Sequence, residues 1–375
     1  MSAGHWLATM RKYCTLKISN CSRMGLIRVL LALAVVGSHF SAMKNMRFVG
    51  GEVAVEAFFT ISGFYMAMVI GKYDSLRSFW KSRYLRLYPT YFVCAVLSFF
   101  LLKEGIVYFY QISAVPVAAA IVLLFTNITI FFQDVVMFLA VQNGHLVFTS
   151  NFSQSSPPLY SLLFLAQGWS LGSELTFYFL APFLLVRSDR WLWILVGFSL
   201  LTKLILAVAG LNYDPWTYRF FPSELAFFLL GSLSYRIYSA HRVRVFTIRG
   251  AWCIYTLVLL AICLFQAVPI TYPIKRYVFY VIFIPSLGFI FDLFKQSKLD
   301  TQMGMLSYPL YCSHPLVLSY FFPIVLGWHP GGTFFSTWAA YGASISLALV
   351  VYWLVEVPAE RFRHGYIRKR EITRD

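Results

Sequence analysis

Long apolar runs separated by short polar and basic stretches dominate this chain, and their lengths suit a membrane better than a globular core. A hydrocarbon layer of about 30 Å calls for 17 to 25 apolar residues in helical form. Runs of that kind cover residues 25–43, 53–71, 87–102, 112–132, 169–186, 191–210, 220–238, 251–268, 277–294, 305–326 and 334–356. Short-loop Lys and Arg set orientation by the positive-inside rule. The heaviest basic clusters precede Gly25, lie between Gly71 and Arg86 and between Arg236 and Arg249, and follow Arg361, so all four are expected to be cytoplasmic. An odd number of crossings cannot leave both ends on one side, so either one run does not cross or residues 135–168 hide another crossing. The pattern predicts an all-α integral membrane protein, a polytopic bundle of about ten transmembrane helices with both termini cytoplasmic. It also predicts an extra re-entrant piece within residues 103–168, since non-spanning backbone is tolerated where protein buries it or it lines a cavity. The chain divides into a cytoplasmic segment 1–24, a membrane domain 25–360 and a basic cytoplasmic tail 361–375.

Composition sharpens the class. With 59% hydrophobic and 12% charged residues, a soluble enzyme is excluded. The net charge of +16 is not a nucleic-acid footprint, because the cations fall between apolar runs instead of clustering on one face. Six cysteines show no CxxC or paired metal spacing, and four of them (Cys94, Cys253, Cys263, Cys312) lie in apolar runs, so neither a disulfide framework nor a thiolate site is expected. Seven scattered histidines without HExxH or a carboxylate cluster give no support for a metal. The first apolar run carries Arg28 and His39 and lacks a small-residue cleavage site, so it is read as a retained helix and not a signal peptide.

Arg28 and His39 are the residues that run should least want. Ionisable side chains within a membrane helix cost roughly 2.5 to 3.5 kcal/mol each on insertion scales, and they persist mainly where they line a polar cavity. Eleven residues return a helix to within about 20° of its starting face, with about 16 Å of rise, so one face carries a cation near one surface and an imidazole deeper in. Counting from the two ends of the chain puts His39 about 6 Å and Glu174 about 8 Å from the outer surface. The two are therefore expected to meet.

Five segments recur in a fixed order: Arg28 with His39; Val55-Glu56-Ala57-Phe58-Phe59 running into Ser62-Gly63-Phe64; Phe79-Trp80 leading to Arg83-x-x-Arg86 and Tyr88-Pro89; Trp169-Ser170-Leu171 with Glu174 and Phe177-Tyr178; and Ser307-Tyr308-Pro309 with Tyr311 and His314-Pro315. This resembles the acyltransferase-3 family of bacterial multi-span membrane O-acyltransferases, which includes O-antigen, exopolysaccharide and Nod-factor acetylases. The likeness runs from about residue 25 to Glu356-Val357-Pro358, and no globular hydrolase domain follows. The chain departs from the family at Leu175 and Thr176, where further polar residues are usual, and at Cys312-Ser313, where an apolar pair is usual.

The resemblance implies transfer of an acyl group, most often acetyl, from cytoplasmic acyl-CoA to a hydroxyl of a carbohydrate or lipid-linked acceptor on the outer side of a bacterial inner membrane. Acyl-CoA would be a co-substrate, with no permanently bound cofactor. The residues make chemical sense of this. Histidine suits proton removal from an alcohol near neutral pH, and a carboxylate on its far nitrogen would fix the tautomer. His39 is thus the expected base, or alternatively an acyl carrier, oriented by Glu174. Guanidinium groups bind phosphates bidentately, so Arg28, Arg83 and Arg86 are expected to hold the CoA phosphates. Glu56, Ser62, Trp169, Ser170, Tyr311 and His314 are expected to line the site.

Plainer readings stand beside these. Basic residues at cytoplasmic edges satisfy topology without a ligand, Glu56 could be a structural partner of an arginine, and His314 could satisfy backbone groups freed by Pro315. Lys203, Glu224 and Asp292 are explained by snorkelling or pairing. Tyr213, Trp216, Tyr218 and Trp328 could stack on a sugar, although interfacial belts of such residues are common. A secondary transporter or flippase is the leading rival. A metal-dependent glycosyltransferase is disfavoured because residues 41–52 contain only one acidic residue, Glu52.

Overall fold

The computed structural model describes residues 23–40, 43–241 and 248–372. The N-terminal segment, with Cys14 and Cys21, falls almost wholly outside them. Helices dominate: α1 (Gly25–Ser38), α2 (Gly51–Val69), α3 (Leu76–Leu101), α4 (Ile106–Ser113), α5 (Val117–Thr129), α6 (Trp169–Leu184), α7 (Asp189–Val208), α8 (Phe221–His241), α9 (Ile248–Cys263), α10 (Tyr272–Leu293), α11 (Lys298–Leu316), α12 (Phe334–Val351) and α13 (Val357–Ile372). Wider π-turns extend α11 through Val317–Val325 and join α12 to α13 through Tyr352–Glu356. Among the described residues, five helical stretches are long and apolar enough to cross a membrane: Lys44–Lys72, Leu76–Leu101, Asp189–Val208, Tyr272–Leu293 and Phe334–Arg363. Gly25–Ser38, Val117–Thr129 and Ile248–Cys263 are shorter apolar helices.

Two of the expected runs are built differently. Residues 112–132 form no single helix, because α4 stops at Ser113 and α5 restarts after Pro116. Proline has no N–H to donate and pushes the residue before it out of the helical region. Residues 135–168 contain no hidden crossing. After α5 the chain turns through left-handed conformations at Ile130 and Phe132, then forms 3₁₀ turns and a two-stranded antiparallel hairpin, β1 (Leu139–Gln142) with β2 (His145–Phe148). Asn127 bonds back to Leu162 and Phe164 at 3.0 and 2.8 Å, so this non-spanning stretch is tied down on itself.

α2 lies at the centre of the bundle and is buried almost all round, so its sequence is mostly apolar and its polar residues Glu56, Thr60 and Ser62 are buried too. It crosses α8 at backbone distance. A Cβ on Gly63 would land on the Phe228 carbonyl oxygen, and one on Gly231 would land on that of Thr60. The glycine of the Ser62-Gly63-Phe64 motif is therefore a packing requirement, as small residues are wherever membrane helices approach closely. α7 is the opposite case, with Trp191, Ile194, Phe198, Leu201, Leu204 and Val208 turned outward as a lipid-facing surface requires. At the start of α1, Gly25 leaves no room for a side chain against Asp300 of α11, whose carboxylate accepts the Gly25 N–H at 2.7 Å. That contact seats the Arg28 end of α1 on the first turn of α11.

Candidate active site

His39 is the last residue of the first helical unit, and its environment is set by α11. α1 ends at Ser38, so His39 sits at the helix C-cap with an exposed side chain, although most of α1 is buried. Its Nδ1 lies 2.9 Å from the Val35 carbonyl and 3.2 Å from Nε2 of His314. His314 is fully buried, and its Nδ1 lies 2.9 Å from the Tyr311 carbonyl. The partners assign the protons. A carbonyl only accepts, so His314 carries its proton on Nδ1, and its Nε2 is an acceptor. His39 Nδ1 then faces two acceptors and must be protonated. Nε2 of His39 is left as the free, basic nitrogen on an exposed ring.

His314 therefore fills the place expected for Glu174. The Glu174 carboxylate accepts instead from Ser62 Oγ at 2.7 Å and from the Tyr178 hydroxyl. Ser62 is eleven residues into α2, about 16 Å along the axis from Gly51, and the Gly51 N–H is bonded to Ser38 beside His39 at 2.7 Å. The matched depths read from sequence fail for a physical reason. α1 ends at Ser38, which leaves His39 level with the Gly51 end of α2, whereas Glu174, five residues on from Trp169, is level with Ser62. Trp169, Ser170 and Tyr311 do come together near the histidines. Ser170 Oγ is 2.6 Å from the Tyr311 hydroxyl, which donates to the Gln167 carbonyl at 2.9 Å, and Phe59 and Tyr218 meet the Trp169 ring edge-on.

α11 links this histidine pair to the opposite end of the bundle. Tyr308, Tyr311, Cys312 and His314 follow one another along it, all buried, and the Arg86 guanidinium lies 5.7 Å from the Tyr308 ring centroid. Arg86 also pairs with Glu356, and with Glu360 at 3.2 Å, while Thr90 donates to Glu356 at 2.6 Å. Arg83 donates to the Tyr73 hydroxyl at 2.6 Å and lies within electrostatic reach of Tyr178, the partner of Glu174. Arg28 acts on Asp300 at the base of α11. A line of buried polar side chains on α11 thus runs from the Arg86 contact to the two histidines.

Glu56 is fully buried away from that column. It binds Lys203 at 2.7 Å, Arg276 at 3.0 Å through Nε, and Tyr280, while Glu224 binds Lys203 at 3.0 Å and Glu52 binds Arg276. This network ties α2, α7, α8 and α10 together, and it makes Glu56 a structural ion-pair centre here and not part of the site lining. Asp292 likewise pairs, with Lys295 and Tyr238. Arg276 escaped the sequence reading, although the Lys275-Arg276 pair early in an apolar helix was a usable signal. Beside the hairpin, Trp216 is buried against Phe138 and Phe220 and donates to the Ser150 carbonyl, so it is unavailable to a sugar, whereas Tyr213 is exposed. Arg219, also missed, grips Asp214 with bonds of 2.5 and 2.7 Å, lies 4.7 Å over the Trp169 ring, and reaches His39 and Tyr311 electrostatically.

Among the described residues there is no group of His, Cys, Asp and Glu suited to a metal ion. No curated protein and no solved structure matches the chain. A family model described as an acyltransferase domain matches residues 22–357, nearly the whole chain and every motif above, so the chain belongs to the acyltransferase-3 family and is an integral membrane protein with that family's acyltransferase domain.

Proposed function

We propose that this protein is an acyl-CoA-dependent O-acyltransferase of a bacterial inner membrane. It takes acetyl by preference from cytoplasmic acyl-CoA and transfers it to a hydroxyl of a cell-envelope carbohydrate or lipid-linked saccharide on the outer side. About ten crossings with both termini cytoplasmic suit this transfer. Acyl-CoA enters as co-substrate, no resident cofactor is required, and lipid surrounds the outward apolar helix faces.

One observation carries the reading. His39 stands exposed at the outer end of α1 with Nδ1 committed to acceptors and Nε2 free, while a line of buried polar side chains on α11 leads from its partner His314 to Arg86 at the other end. A hydroxyl donates its proton to Nε2, its oxygen bonds to the thioester carbonyl carbon, and the carbon–sulfur bond breaks. The proton on His39 then passes to the departing thiolate. In the carrier variant Nε2 bonds to the thioester carbon as the carbon–sulfur bond breaks and the thiolate leaves; the hydroxyl oxygen then takes the acyl carbon as the carbon–nitrogen bond breaks, and its proton offsets the thiolate's charge. Arg28, Arg83 and Arg86 hold the donor phosphates. Arg86 does so from within a carboxylate pair that preorients it, and Arg83 through N–H groups met only by hydroxyls. Glu174, Ser62 and Tyr178 form the polar midpoint that the acyl arm passes, and Trp169, Ser170, Tyr311 and His314 shape the outer chamber. The two-histidine contact and the guanidinium cluster suit a phosphate-bearing donor better than the transporter reading.

The test is incorporation of labelled acetyl from acetyl-CoA by the purified protein in lipid nanodiscs, with envelope saccharides as acceptors. Transfer by the wild type and its loss in His39→Ala is the expected result. Saccharide movement across the bilayer without any incorporation would replace this reading with transport.

A further inference from the structure

The C-terminal helix α13 starts at Val357, the last residue of the matched segment 22–357, yet it delivers a guanidinium to the arginine cluster. Arg363 Nη1 donates to Ser82 Oγ at 3.1 Å, and Arg83 Nη2 points at the same oxygen from 3.4 Å. Tyr73 completes the group, its hydroxyl 2.9 Å from Ser82 Oγ and 2.6 Å from Arg83. Glu360 holds Arg363 from the other side, through Nε at 3.0 Å and Nη2 at 2.6 Å, which leaves Nη1 as the nitrogen aimed at Ser82.

Two guanidinium groups sharing one neutral hydroxyl is an unfavourable arrangement, because like charges at this separation repel and a hydroxyl carries no charge to offset them. Arg83, Arg86 and Arg363 face only Glu356 and Glu360 as acidic partners in these contacts, so positive charge exceeds negative by one. Nε of Arg83 is buried with no hydrogen-bond partner. Converging N–H donors, a surplus cation and an unmet buried donor are what a bound phosphate group would satisfy, its oxygens replacing the Ser82 hydroxyl as acceptor.

We infer that Arg363 of the C-terminal helix and Arg83 of α3 together form a phosphate-binding site for a phosphate-bearing nucleotide donor. The inference rests on the acyl-CoA reading for the identity of the donor, though not for the phosphate chemistry. It makes α13 a part of the donor site, whereas the sequence pattern set residues 361–375 apart as a basic tail.

Binding of coenzyme A, 3′-dephospho-coenzyme A and inorganic pyrophosphate to the full-length protein in nanodiscs tests it. Arg363→Gln is expected to weaken coenzyme A binding roughly ten- to a hundredfold, the scale of a charged hydrogen bond lost. Arg363→Lys should recover part of that, as a point charge without the fork. Loss confined to coenzyme A identifies the 3′-phosphate as the group bound, and loss for all three ligands identifies the diphosphate. Ser82→Ala, which removes the hydroxyl that the phosphate oxygens replace, should keep or tighten binding, whereas a purely structural clamp would lose affinity in both variants and overturn the assignment. Unchanged coenzyme A binding in Arg363→Gln also overturns it and leaves the acyl-CoA reading standing. Wild-type protein that binds pyrophosphate but not coenzyme A removes the acyl-CoA reading and leaves the phosphate site.

Discussion

Which group orients His39 can be decided by comparing His314→Phe, Glu174→Gln and His39→Ala. His314→Phe removes the 3.2 Å contact to Nδ1 but leaves the Val35 carbonyl at 2.9 Å, and that bond alone still fixes the tautomer. What is lost is one neutral hydrogen bond, worth about 0.5 to 1.5 kcal/mol. At about 1.4 kcal/mol per tenfold in rate, kcat/KM should fall about 2- to 13-fold. His39→Ala removes the base and should cost roughly 10² to 10⁴. Glu174→Gln disturbs Ser62 and Tyr178, not His39, so it should lower the rate without changing the acid limb of the pH profile. The base works only when neutral, so kcat/KM of the wild type falls as pH drops through the range in which the imidazole takes up a proton. That limb should persist in Glu174→Gln and His314→Phe and vanish from whatever activity His39→Ala retains. The assay is acetyl transfer from acetyl-CoA in nanodiscs across this range. A Glu174→Gln enzyme that lost the limb, beside a His314→Phe enzyme matching the wild type, would refute the two-histidine arrangement.

Three further outcomes follow from the packing. Glu56→Ala leaves Lys203 with Glu224 and Arg276 with Glu52 but strips the acceptor from Arg276 Nε and the Tyr280 hydroxyl, so it should destabilise by about 1 to 3 kcal/mol, as leaving buried donors unsatisfied does, while Glu56→Gln should lose less. Thermal unfolding in detergent reads both, and an unshifted Glu56→Ala melting point would show that the network is not structural. Arg86→Ala should weaken coenzyme A binding and also lower the melting temperature, because Glu356, 2% exposed, loses its cation. A second change, Glu356→Gln, should restore much of the stability without restoring binding. Gly63→Ala drives a methyl into the Phe228 carbonyl and should cost about 1 to 3 kcal/mol. Gly342→Ala, where nothing lies within 4 Å, is its neutral control in the same melts.

The chain by itself determined its solvent and its chemistry. Apolar runs of membrane length, basic clusters between them and the ordered motifs around His39, Arg83, Glu174 and His314 state the class and the candidate groups for its chemistry, because period, length and residue type are local properties. Most helix positions were legible for the same reason, and the run at 112–132 failed only through the breaking effect of Pro116. The partners were not legible. That His39 meets His314 and not Glu174 depends on where α1 ends and on which level of α2 Glu174 meets, and no count along one helix supplies either. Arg276 joins Glu56 across 220 residues, Arg86 meets Glu356 across 270, and Arg363 reaches Ser82 across 281. Desolvated charge demands a partner somewhere, and only the packing of the helices decides which one is near enough to answer.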